Sequence, residues 1–550
     1  MTVLSTGSVV AVNGSGAMGA DKEAMAVLST GSIVAVIGSG AMGAGIAQVA
    51  AAAGYQVRLY DTRPEAVAKA LAGIARIYQK LVEKGRMTAP DAAAASARLQ
   101  AAATLADVAG AALVVEAIVE NLDIKRALFA ELEDVVSDSC ILASNTSSIS
   151  VTAIAAKLRL PQRLVGMHFF NPVPLMALVE VVSGLATGAD VAATVFATAV
   201  AWGKSPVHAK STPGFIVNRV ARPFYAEALR LLTEQAGDAA TLDAVLREAG
   251  GFRMGPFELM DLIGHDVNFS VTQSVFHAYF NDPRFTPSVL QQEMVSAGFL
   301  GRKSGRGFYR YNEEVGTPVL QAHTEEPRAR PEFVSYSVEA DGGGFAADAM
   351  AARLRQAGIE LRSRTMPEGG QGAQADAAAD TAAAFHCNGA AVYLTDGRSA
   401  TERARANRHP DTVLFDLALD YSSATRIAVS CADQCSPAAY DAVVGLFQAA
   451  GFAVSRLDDV PGLAVMRTVA MLANEAADVV NQGVCTAFAV DTAMQKGVNY
   501  PRGPLAWADA VGIGQVVTVL GNLAASYGED RYRISPLLRR KLANGALIHA

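Results

Sequence analysis

Short uninterrupted apolar runs alternate with small-residue and amphipathic stretches in the first part of the chain. Residues 33–37 (IVAVI), 56–60 (QVRLY), 113–116 (LVVE) and 141–143 (ILA) have the length and composition of buried parallel strands. Between them, residues 44–53 and an Ala-rich stretch from Pro64 to about Ala101 have helical character. This alternation predicts an α/β Rossmann domain, a parallel sheet covered by helices. From Pro213 onwards the pattern is helical alone, at 215–233, 239–249, 256–263 and 267–278. Residues 317–330 turn polar and proline-bearing, and 341–384, rich in Ala, Gly, Asp and Gln, hold a single candidate helix. Strand-like runs return at 392–395, 412–417, 427–430 and 452–457, with a helix at 437–450. The expected layout is an N-terminal extension (1–25), a Rossmann domain (26–212), an all-helical domain (213–312), a linker and poorly defined segment (313–384), a reduced α/β segment (385–460) and a second helical domain (461–550).

The two halves echo each other. PGLAVMR at 461–467 lines up with PGFIVNR at 213–219, and GPLAWAD at 503–509 with GPFELMD at 255–261. The second copy has no glycine fingerprint, and Met466 stands where the first copy has Asn218. It reads as catalytically inert, with an architectural task. A helical domain that pairs with another copy of itself would find its partner within the same chain. A shorter repeat lies at the N-terminus, where VLSTGSVVAVNGSGAMGA (3–20) recurs at 27–44 with two changes. Polar Asn13 would end a buried strand, and the loop runs into Asp-Lys-Glu rather than a helix. Residues up to 25 are therefore read as an extension, a disordered tail or start-site artefact, with Met25 as the functional start.

Composition narrows the function. The chain has 550 residues, 51% of them hydrophobic and 18% charged, which allows several domains with their own cores. A net charge of −7 gives no electrostatic support for nucleic-acid binding. Five cysteines without a C-x-x-C pair fit a reducing compartment, and no metal site is expected. No apolar run reaches the roughly 20 residues that span a bilayer, and the N-terminus lacks a signal-peptide layout. The expected location is cytoplasmic.

The first chemical signal is Gly38-Ser-Gly40-Ala41-Met42-Gly43, directly after the run at 33–37 and ahead of a small-residue helix. Gly38 permits a tight turn, Gly40 lets the backbone approach a pyrophosphate, and Gly43 allows close helix–strand packing. The pyrophosphate would sit on the helix N-terminus. Asp61, at the end of the second strand, lies where an acid hydrogen-bonds a ribose 2′-hydroxyl and repels a 2′-phosphate, so NAD is expected rather than NADP. The second signal is His168 with Glu180. Histidine titrates near neutral pH and can take a hydroxyl proton while a hydride leaves carbon, and a carboxylate steadies the imidazolium. Glu180 stands in an apolar run, LVEVV, where an acid without a partner would be costly.

The runs SNTSS (144–148), GMHFFNPVP (166–174), LVEVV (178–182), PGFIVNR (213–219), GPFELMDLIG (255–264) and GRKSGRGFYRY (301–311) together resemble the 3-hydroxyacyl-CoA dehydrogenase family over residues 33–311. The resemblance implies NAD-dependent oxidation of a 3-hydroxyacyl-CoA. It implies His168 as general base, Glu180 as its orienting carboxylate, and Ser147 and Asn218 on the substrate oxygens. It also implies cofactor contacts from Glu120, Lys125, Asn145, Asn171 and Lys303, besides the glycine loop and Asp61. In the family the helical domain makes a dimer contact, which implies a homo-oligomer. The doubled layout resembles the long bacterial members of phenylacetate breakdown and implies a 3-hydroxyadipyl-CoA substrate. By position, Lys69, Arg76 and Lys80 on the Ala-rich helix are candidates for CoA. Two other readings stand beside this one, a short-chain 3-hydroxybutyryl-CoA dehydrogenase and a non-catalytic NAD-binding scaffold.

Overall fold

The computed structural model describes residues 27–311, 321–332, 334–336, 344–363 and 383–550. The first copy of the N-terminal repeat and much of the 341–384 stretch lie outside the described residues.

The first sheet has eight strands: β1 (Ile33–Ile37), β2 (Gln56–Tyr60), β3 (Leu99–Ala101), β4 (Leu113–Glu116), β5 (Ile141–Ser144), β6 (Leu164–Phe169), β7 (Leu178–Ser183) and β8 (Ser205–Lys210). Their order is β3-β2-β1-β4-β5-β6-β7-β8. All neighbours are parallel except β6 and β7. The order reverses between β1 and β4, and the crevice at the carboxyl ends of those strands is where a doubly wound fold binds its ligand.

The Ala-rich stretch is two helices, Pro64–Glu83 and Ala89–Ala97, followed by β3. The helical stretch expected there is interrupted because Gly85 turns with φ 65°, and Thr88 then caps the second helix by accepting from the Asp91 N–H. The helix expected at 215–233 is also divided, into Val217–Val220 and Arg222–Thr233. Pro223 is the cause, since it has no N–H to bond to the carbonyl of Arg219. In the second copy Met471 occupies the matching place, and the helix Val465–Asn481 runs unbroken. That helix is almost wholly buried and packs against Arg222–Thr233 of the first helical region.

The second sheet has seven strands among the described residues: β9 (Val334–Tyr336), β10 (Leu361–Ser363), β11 (Phe385–Cys387), β12 (Ala390–Leu394), β13 (Thr412–Phe415), β14 (Arg426–Cys431) and β15 (Ala453–Arg456). Their order is β10-β9-β11-β12-β13-β14-β15. Its last four strands repeat the senses of β5 to β8: parallel, antiparallel, parallel. The strands and helix expected at 392–457 are all present within a few residues. No single described helix is long and apolar enough to cross a membrane.

Candidate active site

β1 is followed by Gly38, whose φ of 104° and 2.5 Å clearance from the Ala117 carbonyl to an added Cβ admit glycine alone. At Gly43 a Cβ would lie 1.8 Å from the Gly38 carbonyl, so helix and turn touch directly. A Cβ on Gly40 would instead meet nothing within 4 Å. Gly40 thus faces an open cradle, and the helix Ala41–Ala52 starts with no side chain capping it. Its first N–H groups, those of Ala41 and Met42 among them, are available to an anion, which fits a pyrophosphate. Asp61 accepts hydrogen bonds from the Ser39 N–H (2.9 Å) and hydroxyl (2.7 Å). Burial pushes its carboxyl up, but the Ser39 and Arg63 contacts outweigh that and hold it below its ordinary value.

At the end of β4, Glu116 and Lys125 are buried against each other at 2.6 Å, and Ser144 donates to Glu116 at 2.6 Å. Lys125 also meets Glu120 at 3.2 Å, and is only 1% exposed. Lys125 thus sits between the two carboxylates and orients Glu120. Glu120 gathers the SNTSS loop: its Oε1 accepts from the Thr146 hydroxyl (2.7 Å), the Ser147 N–H (2.9 Å) and the Ser148 N–H (3.0 Å). Burial raises the Glu120 carboxyl, yet these donors and Lys125 bring it down to about 2. Sequence reasoning missed Glu116, although an acid closing the apolar run LVVE was the signal for it.

His168 on β6 lies directly opposite Glu180 on β7 in the antiparallel register. Its Nδ1 is 2.6 Å from Glu180 Oε2, with both side chains buried. The other carboxylate oxygen accepts the backbone N–H groups of Ile216 and Val217, both at 3.0 Å. Glu180 thus ties the histidine to the start of the helix that carries Asn218. With Nδ1–H given to the carboxylate, Nε2 is the free acceptor of the ring. Phe170 and Phe215 lie against the imidazole, with ring centroids at 4.5 and 5.7 Å.

The remaining residues assemble around this pair to different degrees. Asn218 donates to the Ser147 carbonyl at 3.4 Å, joining helix and loop. Asn145 accepts from the Phe169 N–H at 2.8 Å, next to His168 in the chain. Asn171 is exposed in the loop after β6, and that loop reaches the cofactor helix, since a Cβ on Gly45 would lie 2.8 Å from Val173. Lys303 is paired with Asp266 at 2.5 Å on the helical region, and no hydrogen bond or ion pair joins it to the glycine loop. Lys69, Arg76 and Lys80 are exposed along one stripe of Pro64–Glu83.

The second copy shows what becomes of these positions. From β6 to the end of the helix His265–Ala278, the two copies correspond at a constant offset of 248 residues, as from Arg219 to Arg467. At that offset β7 falls on β14, and the helix Ala189–Ala201 on Pro437–Ala449. Asp416 then replaces His168 and Ala428 replaces Glu180. Asp416, fully buried, accepts from the Ala464, Val465 and Met466 N–H groups at 2.7–2.9 Å. A carboxylate still caps the helix, now from the neighbouring strand, and its oxygens are taken up by backbone N–H groups.

Comparison with known proteins identifies the parts. Residues 33–212 match the 3-hydroxyacyl-CoA dehydrogenase NAD binding domain, and 214–311 and 462–549 both match the 3-hydroxyacyl-CoA dehydrogenase C-terminal domain. Residues 392–461 match the 3-hydroxybutyryl-CoA dehydrogenase reduced Rossmann-fold domain. The chain is 41% identical over 533 residues to 3-hydroxyadipyl-CoA dehydrogenase of Escherichia coli, covering 97% of each. It is 43% identical over 274 residues to a probable 3-hydroxybutyryl-CoA dehydrogenase of Bacillus subtilis, covering 49% of this chain and 94% of that one. Among solved structures, 3-hydroxybutyryl-CoA dehydrogenase of Escherichia coli K12 superposes with a TM-score of 0.82 at 40% identity, over 94% of this chain and 100% of that one.

Proposed function

The chain belongs to the 3-hydroxyacyl-CoA dehydrogenase family, and from that premise we propose that His168 is the general base of its reaction. That reaction is NAD-dependent oxidation of a 3-hydroxyacyl-CoA to the 3-oxoacyl-CoA. NAD, when bound, supplies the hydride acceptor. The chain's own residues manage the proton and the oxygen. Glu180 holds the Nδ1–H of His168, so Nε2 accepts the proton of the 3-hydroxyl, and the buried carboxylate stabilises the imidazolium. Ser147 and Asn218 donate to the 3-oxygen as its bond to carbon becomes a carbonyl. In the reverse direction the imidazolium returns the proton to that oxygen. The glycine loop, Asp61, Glu120, Asn145 and Asn171 hold the cofactor, with Lys125 positioning Glu120; Lys303 has the support of its motif alone.

The observation that carries this reading is the 2.6 Å contact between His168 and Glu180, both buried. The acyl chain is inferred to be 3-hydroxyadipyl, supported by the relative of that name, which is matched along nearly its whole length. The short-chain alternative is supported by the name of the superposed structure. The reading also divides the chain near residues 212, 312 and 460, with the second α/β unit starting at β9 rather than at 385 because β9 and β10 belong to its sheet; it places the protein in the cytoplasm and gives Lys69, Arg76 and Lys80 the CoA. Association between copies is part of it as well. Such contacts would use faces other than Arg222–Thr233 and Val465–Asn481, which are already packed together.

The test follows NADH absorbance with acetoacetyl-CoA and 3-oxoadipyl-CoA, for wild type and His168→Ala. Oxidation of NADH that disappears in the variant is expected, and the substrate ratio selects the acyl chain. Turnover that survives in the variant means another base, and NAD binding without turnover by the wild type means a scaffold.

A further inference from the structure

Arg222 begins the helix Arg222–Thr233, four residues after Asn218. Ala221 between them keeps helical dihedrals (φ −76°, ψ −11°), so Arg222 sits one turn further along the same side as Asn218. Its residue exposure is 6%, yet it lines a cavity of about 440 Å³ together with Thr272, Tyr225 and Arg284. The other arginines of that cavity have carboxylates: Arg230 has Glu529, Arg284 has Glu475 and Asp478, and Arg531 has Glu529. Arg222 has none among the described residues. One nitrogen donates to the Thr272 hydroxyl at 3.1 Å, Tyr225 stacks on it at 4.9 Å, and Nε is buried without a partner. The groups that face it, Thr272, Tyr225 and Tyr500, are neutral. A guanidinium stays charged, and a buried charge without a counter-ion is costly unless a ligand brings one.

The second copy separates site residues from scaffold residues. At the 248-residue offset, Arg219, Glu227 and Tyr279 of the packing between copies recur as Arg467, Glu475 and Tyr527. His168, Glu180 and Asn218 are replaced by Asp416, Ala428 and Met466. Arg222 goes with the second group, becoming Ala470, and its partner Thr272 becomes Leu520. Where the chemistry is gone, the cation and the hydroxyl that orients it are gone too.

We propose that Arg222 binds the distal carboxylate of the acyl chain and so selects a dicarboxylyl-CoA over a neutral one. This rests on the dehydrogenase reading above. In a 3-hydroxyadipyl chain the carboxylate lies three carbons beyond C3, and Asn218 holds the oxygen on C3. One helical turn, about 5.4 Å, separates the two side-chain positions, a span that suits that separation. The fork of Arg222 accepts a carboxylate through two N–H groups while Thr272 keeps it oriented.

The test compares kcat/KM for 3-oxoadipyl-CoA with that for 3-oxohexanoyl-CoA, which has the same length and no terminal charge. Wild type is expected to favour 3-oxoadipyl-CoA. Arg222→Gln is expected to lower that preference about ten- to hundredfold, with activity on 3-oxohexanoyl-CoA retained. Thr272→Val, which leaves the charge in place, is expected to lower it by a smaller factor. Unchanged preference in Arg222→Gln overturns the inference, as does equal loss on both substrates in both variants. If free succinate alters turnover of 3-oxohexanoyl-CoA through Arg222 while the preference stays fixed, the cavity takes a free carboxylate and the inference also fails. A wild type active on 3-oxohexanoyl-CoA but blind to the terminal charge overturns it with the dehydrogenase reading intact; inactivity on both substrates fails that reading itself.

Discussion

Arg219 of the first helical region donates to Glu475 of the second at 2.5 Å, and both side chains are buried. The reciprocal pair, Arg467 to Glu227 at 2.6 Å, is the same contact seen from the other copy. Each guanidinium also reaches the next matched acceptor, Gln482 for Arg219 and Glu234 for Arg467. Each lies over a matched ring, Tyr279 and Tyr527, both at 5.0 Å. The two helical copies thus meet about a pseudo-two-fold axis, an isologous contact within one chain. Arg219 directly follows Asn218, so the second copy braces the helix that carries Asn218.

The two arginines are expected to differ in what their loss costs. Removing one partner of a buried pair typically costs about 3–5 kcal/mol, because a charge is left unpaired. Arg467→Met leaves Glu227 with the Tyr532 hydroxyl as its one hydrogen-bond donor among the described residues and is expected to approach that figure. Arg219→Met leaves Glu475 with Arg284 and is expected to cost less. Thermal unfolding of both variants checks the order, and a smaller drop in Tm for Arg467→Met would contradict it.

Asn218→Met copies the residue that the second copy already holds at Met466, fully buried at the start of the matching helix. The fold therefore accommodates it. Loss of a donor to the 3-oxygen is expected to lower kcat about 10²–10³-fold with NAD affinity unchanged. Steady-state kinetics beside NAD titration checks this; a matching fall in NAD affinity would point to misfolding instead.

Glu180→Gln keeps the volume but offers an amide to three donors, His168 and the Ile216 and Val217 N–H groups. The amide oxygen can serve only part of them. Where the amide nitrogen faces His168, the histidine is driven to the tautomer whose Nε2 carries the proton. A fall in kcat of about 10²–10⁴ is expected, as for other carboxylates that orient a catalytic histidine. The pH profile of kcat is the readout, and an unchanged profile with unchanged kcat would remove Glu180 from the mechanism.

Glu120 has a folded pKa of about 2 against an ordinary 4.5. A depressed carboxyl stabilises the fold fully above the ordinary value, and that contribution is lost as pH falls from about 4.5 toward 2. Acidification should therefore release the SNTSS loop within that window. Tm measured across it is expected to fall less steeply for Glu120→Gln than for wild type, from a lower starting value. Parallel curves would show that Glu120 is not what fastens the loop.

The sequence alone determined what short-range physics encodes. The strand–glycine–helix unit at 33–52 and Asp61 at the end of β2 are readable because turn, helix start and strand end lie within a few dozen residues. The echo of PGFIVNR in PGLAVMR showed two copies and the loss of Asn218. Gly85 and Thr88 were legible signals of a helix break, masked by the alanines around them. Pro223 in the same way marked the division after Val220.

Tertiary structure decided the rest. His168 meets Glu180 only because β6 and β7 run antiparallel in one register; shifted by one residue, the carboxylate would point to the other face of the sheet. Lys125 is held between Glu116 and Glu120, and Arg222 meets Thr272 and Tyr225 with no carboxylate among the described residues. Arg219 finds Glu475 across 256 residues of chain. Hydrophobic periodicity says which side of an element is buried, but the partner that buries it is fixed by how distant elements pack.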